Sequence, residues 1–549
     1  MSPGQVGRRA LLAAGSAIAG AMTVRGGGVA HAAGPTGPPP VVITPRDPRY
    51  PDLVRGLNQR WVGTPDAVCV ASSTEQVVAA VDAAVGGNKR ITVRSGGHCF
   101  ENFVYNPDVD LVIDLSELTG VRFDAARDAF EVRAGSRLLD VYETLYRRWG
   151  VTVPSGICYT VGAGGHVPGG GWGMLARRHG LAVDHLEAVE VVVVGADGRA
   201  RAVVAGRDPA DPHHDLWWAH TGGGGGTFGI VTRFWFRTPD RTGPPPALLP
   251  SPPAEVLVLG LAWPWRDLTA EDFRGLVDGF GRWHREHADT AEPAASLCAL
   301  MSLTHRAAGQ LGLVAQIDAT HPDAERVLAD FVATVGRDVA VDPVPVTVPS
   351  AAHGLTEQFH RPRRLPWLQA TRRFGTTDGL LNDPSLRMDY KSSFLREPMP
   401  RGHVDALHRW LTDDRFTNPA AMVQLHSFGG RIGSVSRHAT AYAHRDAIYN
   451  MIWYVQWTDP AADDESLRWI RGCYEDVYSD TGGVPVPDAV TDGCYVNYAD
   501  IDLSDPDRNR SPVGWQTLYF NDNYPRLRQI KARWDPRDVF RHAQSVRPA

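Results

Sequence analysis

The sequence predicts an α+β protein of two unequal lobes, and three observations point to it. Short β-branched runs alternate with helical patterns over the first 240 residues. A proline-dense stretch at 237–255, RTPDRTGPPPALLPSPPAE, interrupts them, and longer helices mixed with strands follow. At 549 residues the chain is also too long for one ordinary core and long enough for two.

The first element is a paired Arg8 and Arg9, an apolar run from Ala10 to Met22, and small residues ending in Ala30-His31-Ala32. Together they read as a twin-arginine export signal over residues 1–32, which implies a secreted protein. That run is too short to cross a bilayer, and no other stretch approaches the necessary length, so no membrane span is expected. Next come AVCVAS, TEQVVAAVDAAVGGN and ITVRSGG, a strand, helix, strand unit with Thr74 as helix cap and Gly86-Gly87 as its stop. LVIDLS and FEVRAG read as further strands, and AVEVVVVGADGRARAV as a hairpin turning at Gly195–Gly198. Beyond the proline-rich boundary, TAEDFRGLVDGFGRWHREH has a helical period and NMIWYVQWTD that of a strand, giving a sheet covered by helices on one face. The stretch from WQTLYF to the C-terminal AQSV reads as a helix with Arg and Lys on its polar face, ending in coil.

A net charge of -6, with both signs scattered, provides neither a basic stripe for nucleic acid nor an acidic tail, so a small-molecule partner is expected. Six cysteines are too few for a disulfide scaffold. Cys473 with Cys494, or Cys69 with Cys99, are the sequence-local pairings, and no CxxC suggests zinc. His98 and Cys99 are adjacent, so their side chains diverge, and His166 lies in a glycine loop without a carboxylate pair; no metal site is expected. His213-His214-Asp215 and His284/His287 read as surface residues. A serine hydrolase is excluded by the absence of GxSxG.

Three glycine-rich segments carry the functional signal: SGGH at 95–98, VGAGGHVPGGGWG at 161–173 and TGGGGGTFG at 221–229. Glycine lets backbone amides approach an anion closely, so three such loops in one lobe suggest a diphosphate cradle. Gly224, Gly226 and Gly229 match GxGxxG only formally. A strand, IVTRFWFRT, follows the glycines and a helix, PHHDLWWAH, precedes them, the reverse of the dinucleotide fingerprint.

RSGGHCFENF at 94–103, followed by PSGICYTVGAGGHVPGGGWGMLARRHGLAVDHL and by YVNYADIDL near the C-terminus, closely resembles the berberine bridge enzyme-like branch of the vanillyl-alcohol oxidase/p-cresol methylhydroxylase flavoproteins. The resemblance covers nearly the whole chain beyond the export signal. It implies an FAD-binding domain of the p-cresol methylhydroxylase type at 40–240, an inserted α+β substrate domain at 241–498 and a C-terminal segment, 499–549, returning to the FAD domain. It also implies bicovalent FAD, with His98 on the 8α carbon and Cys158 on C6 of the isoalloxazine. A neutral imidazole and a thiolate are both nucleophiles able to add to an electrophilic ring. Cys99 matches no linking position and is expected to be packed or disulfide-bonded.

The same resemblance assigns Arg94, Ser95, Gly96, Gly97, Val161, Gly162, Gly165, Gly229, Ile230 and Val231 to the cofactor cradle, and Asn523 and Tyr524 to a segment covering the flavin. Val161 matches the position that controls oxygen access and favours an oxidase. Tyr498 matches a catalytic base, which needs a positive or strongly hydrogen-bonded setting because tyrosine ordinarily titrates near 10. His426 stands where many relatives carry tyrosine, and could assist that base, bind a substrate oxygen or act as base itself. Trp172, Met451 and Trp453 fall at substrate-facing positions; being uncharged, they favour an apolar or glycosylated substrate. The expected reaction is oxidation of a hydroxyl of a sugar or of a glycosylated or polyketide natural product with O2 to a carbonyl and H2O2, in a monomer or homodimer; the alternatives are oxidative cyclisation or C–C bond formation in secondary metabolism, or oxidation of an oligosaccharide to a lactone.

Overall fold

The computed structural model describes residues 39–289, 293–376, 381 and 383–549, so the expected export signal lies outside the described residues. Pro39–Ala549 form one compact unit containing three sheets. No helix among the described residues is long and apolar enough to cross a membrane.

The first sheet contains β1 (Val41–Ile43), β2 (Ala67–Val70), β3 (Ile91–Arg94) and β4 (Leu111–Asp114) in the order β1-β2-β4-β3. The expected strand, helix, strand unit is present as β2, a helix at Thr74–Gly86, and β3. Its two strands are not neighbours, because β4 inserts between them, parallel to both. The helix cap is Ser73, whose hydroxyl accepts from Gln76 N. Thr74, expected in that role, donates instead to the buried Glu190 carboxylate at 2.6 Å.

The second sheet is antiparallel: β5 (Val121–Asp124), β6 (Ala129–Arg133), β7 (Leu186–Val194), β8 (Ala200–Gly206) and β9 (Ile230–Phe236), ordered β5-β6-β9-β7-β8. The expected hairpin joins β7 to β8 through a turn in which Gly198 adopts φ 75°. The helix before the glycine run spans His214–Ala219, and β9 follows it, as the reversed order predicts.

The third sheet has seven antiparallel strands: β10 (Glu255–Pro264), β11 (Cys298–Thr304), β12 (Gln310–Asp318), β13 (Arg363–Pro366), β14 (Arg387–Leu395), β15 (Ala421–Ser427) and β16 (Tyr449–Trp457), ordered β13-β10-β12-β11-β15-β16-β14. Helices Ala270–Glu286, Ala324–Gly336, Arg401–Leu411 and Asp463–Val477 cover one face, as expected. Thr269 and Asp272 form a capping box at the first of these.

Three expectations need correction. His284, read as a surface residue, is fully buried under this helical layer, bonded through Nε2 to Ser427 Oγ at 2.6 Å and through Nδ1 to Phe280 O. The C-terminal segment is two helices, Trp515–Phe520 and Tyr524–Trp534, separated where Asn521 takes φ 48°; its Lys531 is buried in an ion pair with Asp535. None of the six cysteines is in a disulfide, so neither sequence-local pairing forms, and Cys99 is simply packed: burial pushes its thiol up to about 11.

Candidate active site

The loop after β3 is fixed at each end by a short polar contact. Arg94 donates to the buried Asp114 carboxylate on β4 at 2.5 Å, and Ser95 Oγ donates to Ala134 O at 2.7 Å. Between them the loop crosses the segment that follows Cys158 with no room to spare. A Cβ at Gly96 would stand 2.7 Å from Thr160 O and closer still to Gly162 N, and one at Gly162 would come within 3.0 Å of Gly96 Cα. Glycine is required at both positions because each loop's backbone occupies the volume of the other's side chain. Beyond the crossing, His98 Nε2 bonds Thr160 Oγ1 at 2.7 Å. Burial, with Arg137 and Arg94 nearby, pushes the His98 imidazole down to about 4, so it is neutral at ordinary pH.

The Cys158 segment has its own anchors. Gly156 N donates to His166 Nε2 at 3.0 Å, and Tyr142 OH donates to Gly156 O at 2.7 Å, so His166 is occupied holding the loop. Asn497 reaches across from the C-terminal region, donating to His166 O and Tyr495 OH, which places Tyr498 beside the same loop.

These segments enclose a cavity of about 390 Å³. The three glycine loops line one part of it, and cradle residues Arg94, Ser95, Gly96, Gly97, Val161, Gly162, Gly165, Gly229, Ile230 and Val231 all border it, with His98 and Cys158. A Cβ at Gly165 would meet nothing within 4 Å, and at Gly226 nothing nearer than 3.5 Å; side chains there would fill the cavity, where glycine leaves amides bordering empty space. Such a wall, with the cationic Arg541 at its rim, fits a dinucleotide with a diphosphate.

The opposite wall is the face of the seven-stranded sheet turned away from the helical layer. Tyr390 on β14 and Tyr454 on β16 are directly paired, their rings stacked at 5.4 Å, and Phe100 stacks on Tyr390 at 4.0 Å. Gln424 and His426 on β15 border the cavity too, with Trp172 stacked on the His426 ring at 4.8 Å. Tyr498 packs edge-on against Tyr495 at 5.0 Å. Its hydroxyl is pushed well above the ordinary tyrosine range by burial, with Tyr495 and Cys158 adding to the effect, so the setting favours the protonated phenol.

Four expected site residues lie elsewhere. Met451 and Trp453 belong to the helix-facing side of β16; Trp453 packs edge-on against Tyr474 at 4.9 Å, while Ile452 and Tyr454, one residue out of phase, face the cavity. Asn523 donates to Arg437 O, and the Tyr524 hydroxyl accepts from Arg547 N; neither borders the cavity. The C-terminal contribution comes from Phe540, Arg541, His542 and Gln544, with His542 stacked on Phe103 at 4.4 Å. The sequence reading missed Tyr390, Tyr454, Gln424 and His353. Gln424 was recoverable, since it precedes His426 by two residues on one strand and shares its face.

A glycine-amide cradle facing a wall rich in aromatic rings, with a neutral histidine and a cysteine bordering the same cavity, fits a flavin-dependent oxidoreductase. The comparisons agree. Residues 65–203 match the FAD binding domain model and 494–547 the berberine and berberine-like model. The aclacinomycin-N/aclacinomycin-A oxidase of Streptomyces galilaeus is 48% identical over 504 residues, covering 91% of this chain and 89% of that protein. The hexose oxidase of Chondrus crispus is 32% identical over 537 residues, covering 91% and 93%. A solved flavoenzyme involved in shunt product recycling in caerulomycin biosynthesis superposes with a TM-score of 0.89 at 46% identity, over 93% of this chain and 100% of that one. The chain belongs to the berberine bridge enzyme-like family of FAD-linked oxidoreductases, and its α+β fold is that of the vanillyl-alcohol oxidase/p-cresol methylhydroxylase flavoenzymes.

Proposed function

We propose that this chain is an oxidase that carries FAD joined to both His98 and Cys158 and converts a hydroxyl of a sugar, free or attached to a natural product, into a carbonyl. The balance is one hydroxyl-bearing carbon and one O2 giving one carbonyl and one H2O2. The observation that carries the reading is the shared cavity: His98 and Cys158 border the same space as the uncharged wall of Phe100, Tyr390, Tyr454, Trp172 and His426. Bound FAD supplies the two-electron acceptor that O2 regenerates.

The chain's own residues supply the rest. His98, neutral at ordinary pH, keeps a lone pair available for attachment, and Thr160 fixes its ring. Flat rings at Tyr390 and Tyr454 stack against the apolar faces of a pyranose or a planar aglycone, a contact that needs no charge on the substrate. Tyr498 and His426 provide polar groups for the reacting hydroxyl. The name of the hexose oxidase relative supports the substrate class, and the described residues of the wall, which are uncharged, support it over a small ionic substrate.

The test begins with colour. Acid-precipitated protein should stay yellow, and His98→Ala and Cys158→Ala should each leave one linkage, the double variant releasing all flavin to the supernatant. H2O2 release is then measured with aclacinomycin N, a hexose such as D-glucose and xylobiose. Release of all flavin from the parent by acid would overturn the covalent reading. Oxidation without any hydroxyl-to-carbonyl product would favour cyclisation instead.

A further inference from the structure

On the face of the seven-stranded sheet turned away from the helical layer, Ser302, Gln424 and His426 form a hydrogen-bonded row ending at the cavity, and His353 joins it at Gln424. Gln424 Nε2 donates to Ser302 Oγ and to His353 Nε2, both at 2.8 Å, which uses the two amide protons. Its Oε1 therefore faces His426 Nε2, 2.6 Å away. An amide oxygen only accepts, so in this arrangement Nε2 of His426 carries the proton and Nδ1 carries the lone pair. His426 Nδ1 is buried and has no hydrogen-bond partner among the described residues, although the ring borders the cavity and is clamped flat against Trp172. A buried acceptor without a donor is costly unless a ligand supplies one. His353 is held in the left-handed region at φ 46°, where a non-glycine residue sits only under constraint.

We propose that His426 Nδ1 accepts the hydrogen bond of the substrate's hydroxyl group, and that Gln424 and His353 are positioning residues that select the tautomer able to do so. The proposal rests on the oxidase reading above. His426 titrates well below the ordinary histidine range because of burial, with His353 adding to the effect, so the lone pair is present throughout the neutral range. The elements packed against it present Leu300 from β11, Asn450 from β16, Trp172 and His353, of which His353 is the titratable neighbour.

The experiment uses the flavin-loaded full chain and aclacinomycin N, with flavin content measured for each variant as a check on folding. In His426→Asn an amide oxygen can occupy the Nδ1 position, whereas in His426→Gln the amide reaches only the Nε2 position. The first should keep KM within about threefold of the parent, and the second should raise it about tenfold or more, the worth of one hydrogen bond. Gln424→Glu places a carboxylate beside Nε2–H and favours the imidazolium, so kcat/KM should acquire an acid limb absent from the parent. Gln424→Leu should impair the parent but have no effect in the His426→Asn background. Equal KM values for the two His426 variants, or a uniform loss with Gln424→Glu at every pH, would overturn the proposal. A parent that oxidises none of the sugars tested would instead bring down the oxidase reading and this inference with it.

Discussion

Lys391→Met tests how the Tyr498 segment is held in place. Lys391 sits on the helix-facing side of β14, 3% exposed, and its ammonium bonds Asp500 at 2.9 and 3.0 Å and Asp502 at 2.7 Å. Burial works against that charge, but Asp500 and Asp502 outweigh it and hold the lysine well above its ordinary range. In the variant, Asp502 keeps Arg471, which donates to both of its oxygens, whereas Asp500 loses its ammonium partner two residues from Tyr498. Removing one partner of a buried pair costs about 3–5 kcal/mol. For a chain of this size the unfolding entropy is about 1 kcal/mol per kelvin, so the melting temperature should fall by about 3–5 °C. Asp500, which burial already raises to about 7, is pushed higher without the lysine. A raised carboxyl pKa loses stability as pH rises, so the deficit should narrow between pH 8 and 6. Scanning calorimetry at both pH values checks this, with Lys391→Met/Asp500→Asn expected to recover most of the loss. A single variant melting within 1 °C of the parent at pH 8 would refute the reasoning.

Other outcomes follow from the same geometry. Gly162→Ala forces a methyl into the Gly96 backbone and should cost about 1–3 kcal/mol and lower the flavin bound per chain, read from absorbance after gel filtration. Trp453→Ala should destabilise by about 3–5 kcal/mol in urea melts while leaving KM unchanged, and Tyr454→Ala should raise KM, because the two rings face opposite sides of β16. His166, His185 and His220 are each held down to about 4 by burial, so the unfolded chain takes up protons first as pH falls below about 6.5. Stability should therefore drop on acidification from pH 7 to 5, by up to about 1.4 kcal/mol per pH unit for each histidine, and an unchanged urea midpoint would contradict it.

The cradle was legible in the sequence because glycine is informative where backbones touch. The crossing at Gly96 and Gly162 tolerates no side chain, whereas His98 and Cys158 were singled out only by the resemblance of their motifs to a family. The substrate wall was less legible. Along β16 both faces are apolar, Met451 and Trp453 against helices and Ile452 and Tyr454 against the cavity, so alternation gives two sets of residues without saying which is which. Residues from distant segments were invisible for another reason: His353, Arg541 and His542 reach the cavity only through tertiary packing that no local pattern encodes. His284 was misplaced because a polar residue on an amphipathic helix reads as exposed unless its partner, here Ser427, is known.

The lining of the cavity has a consequence for how the protein is made. One wall comes from residues 94–98 and another from 540–544, so the pocket cannot close until synthesis has passed residue 544. A nascent chain has His98 and Cys158 long before it has a complete pocket to hold a cofactor against them. Closure of the cavity around a cofactor therefore waits for 540–544, the last-made stretch of its lining.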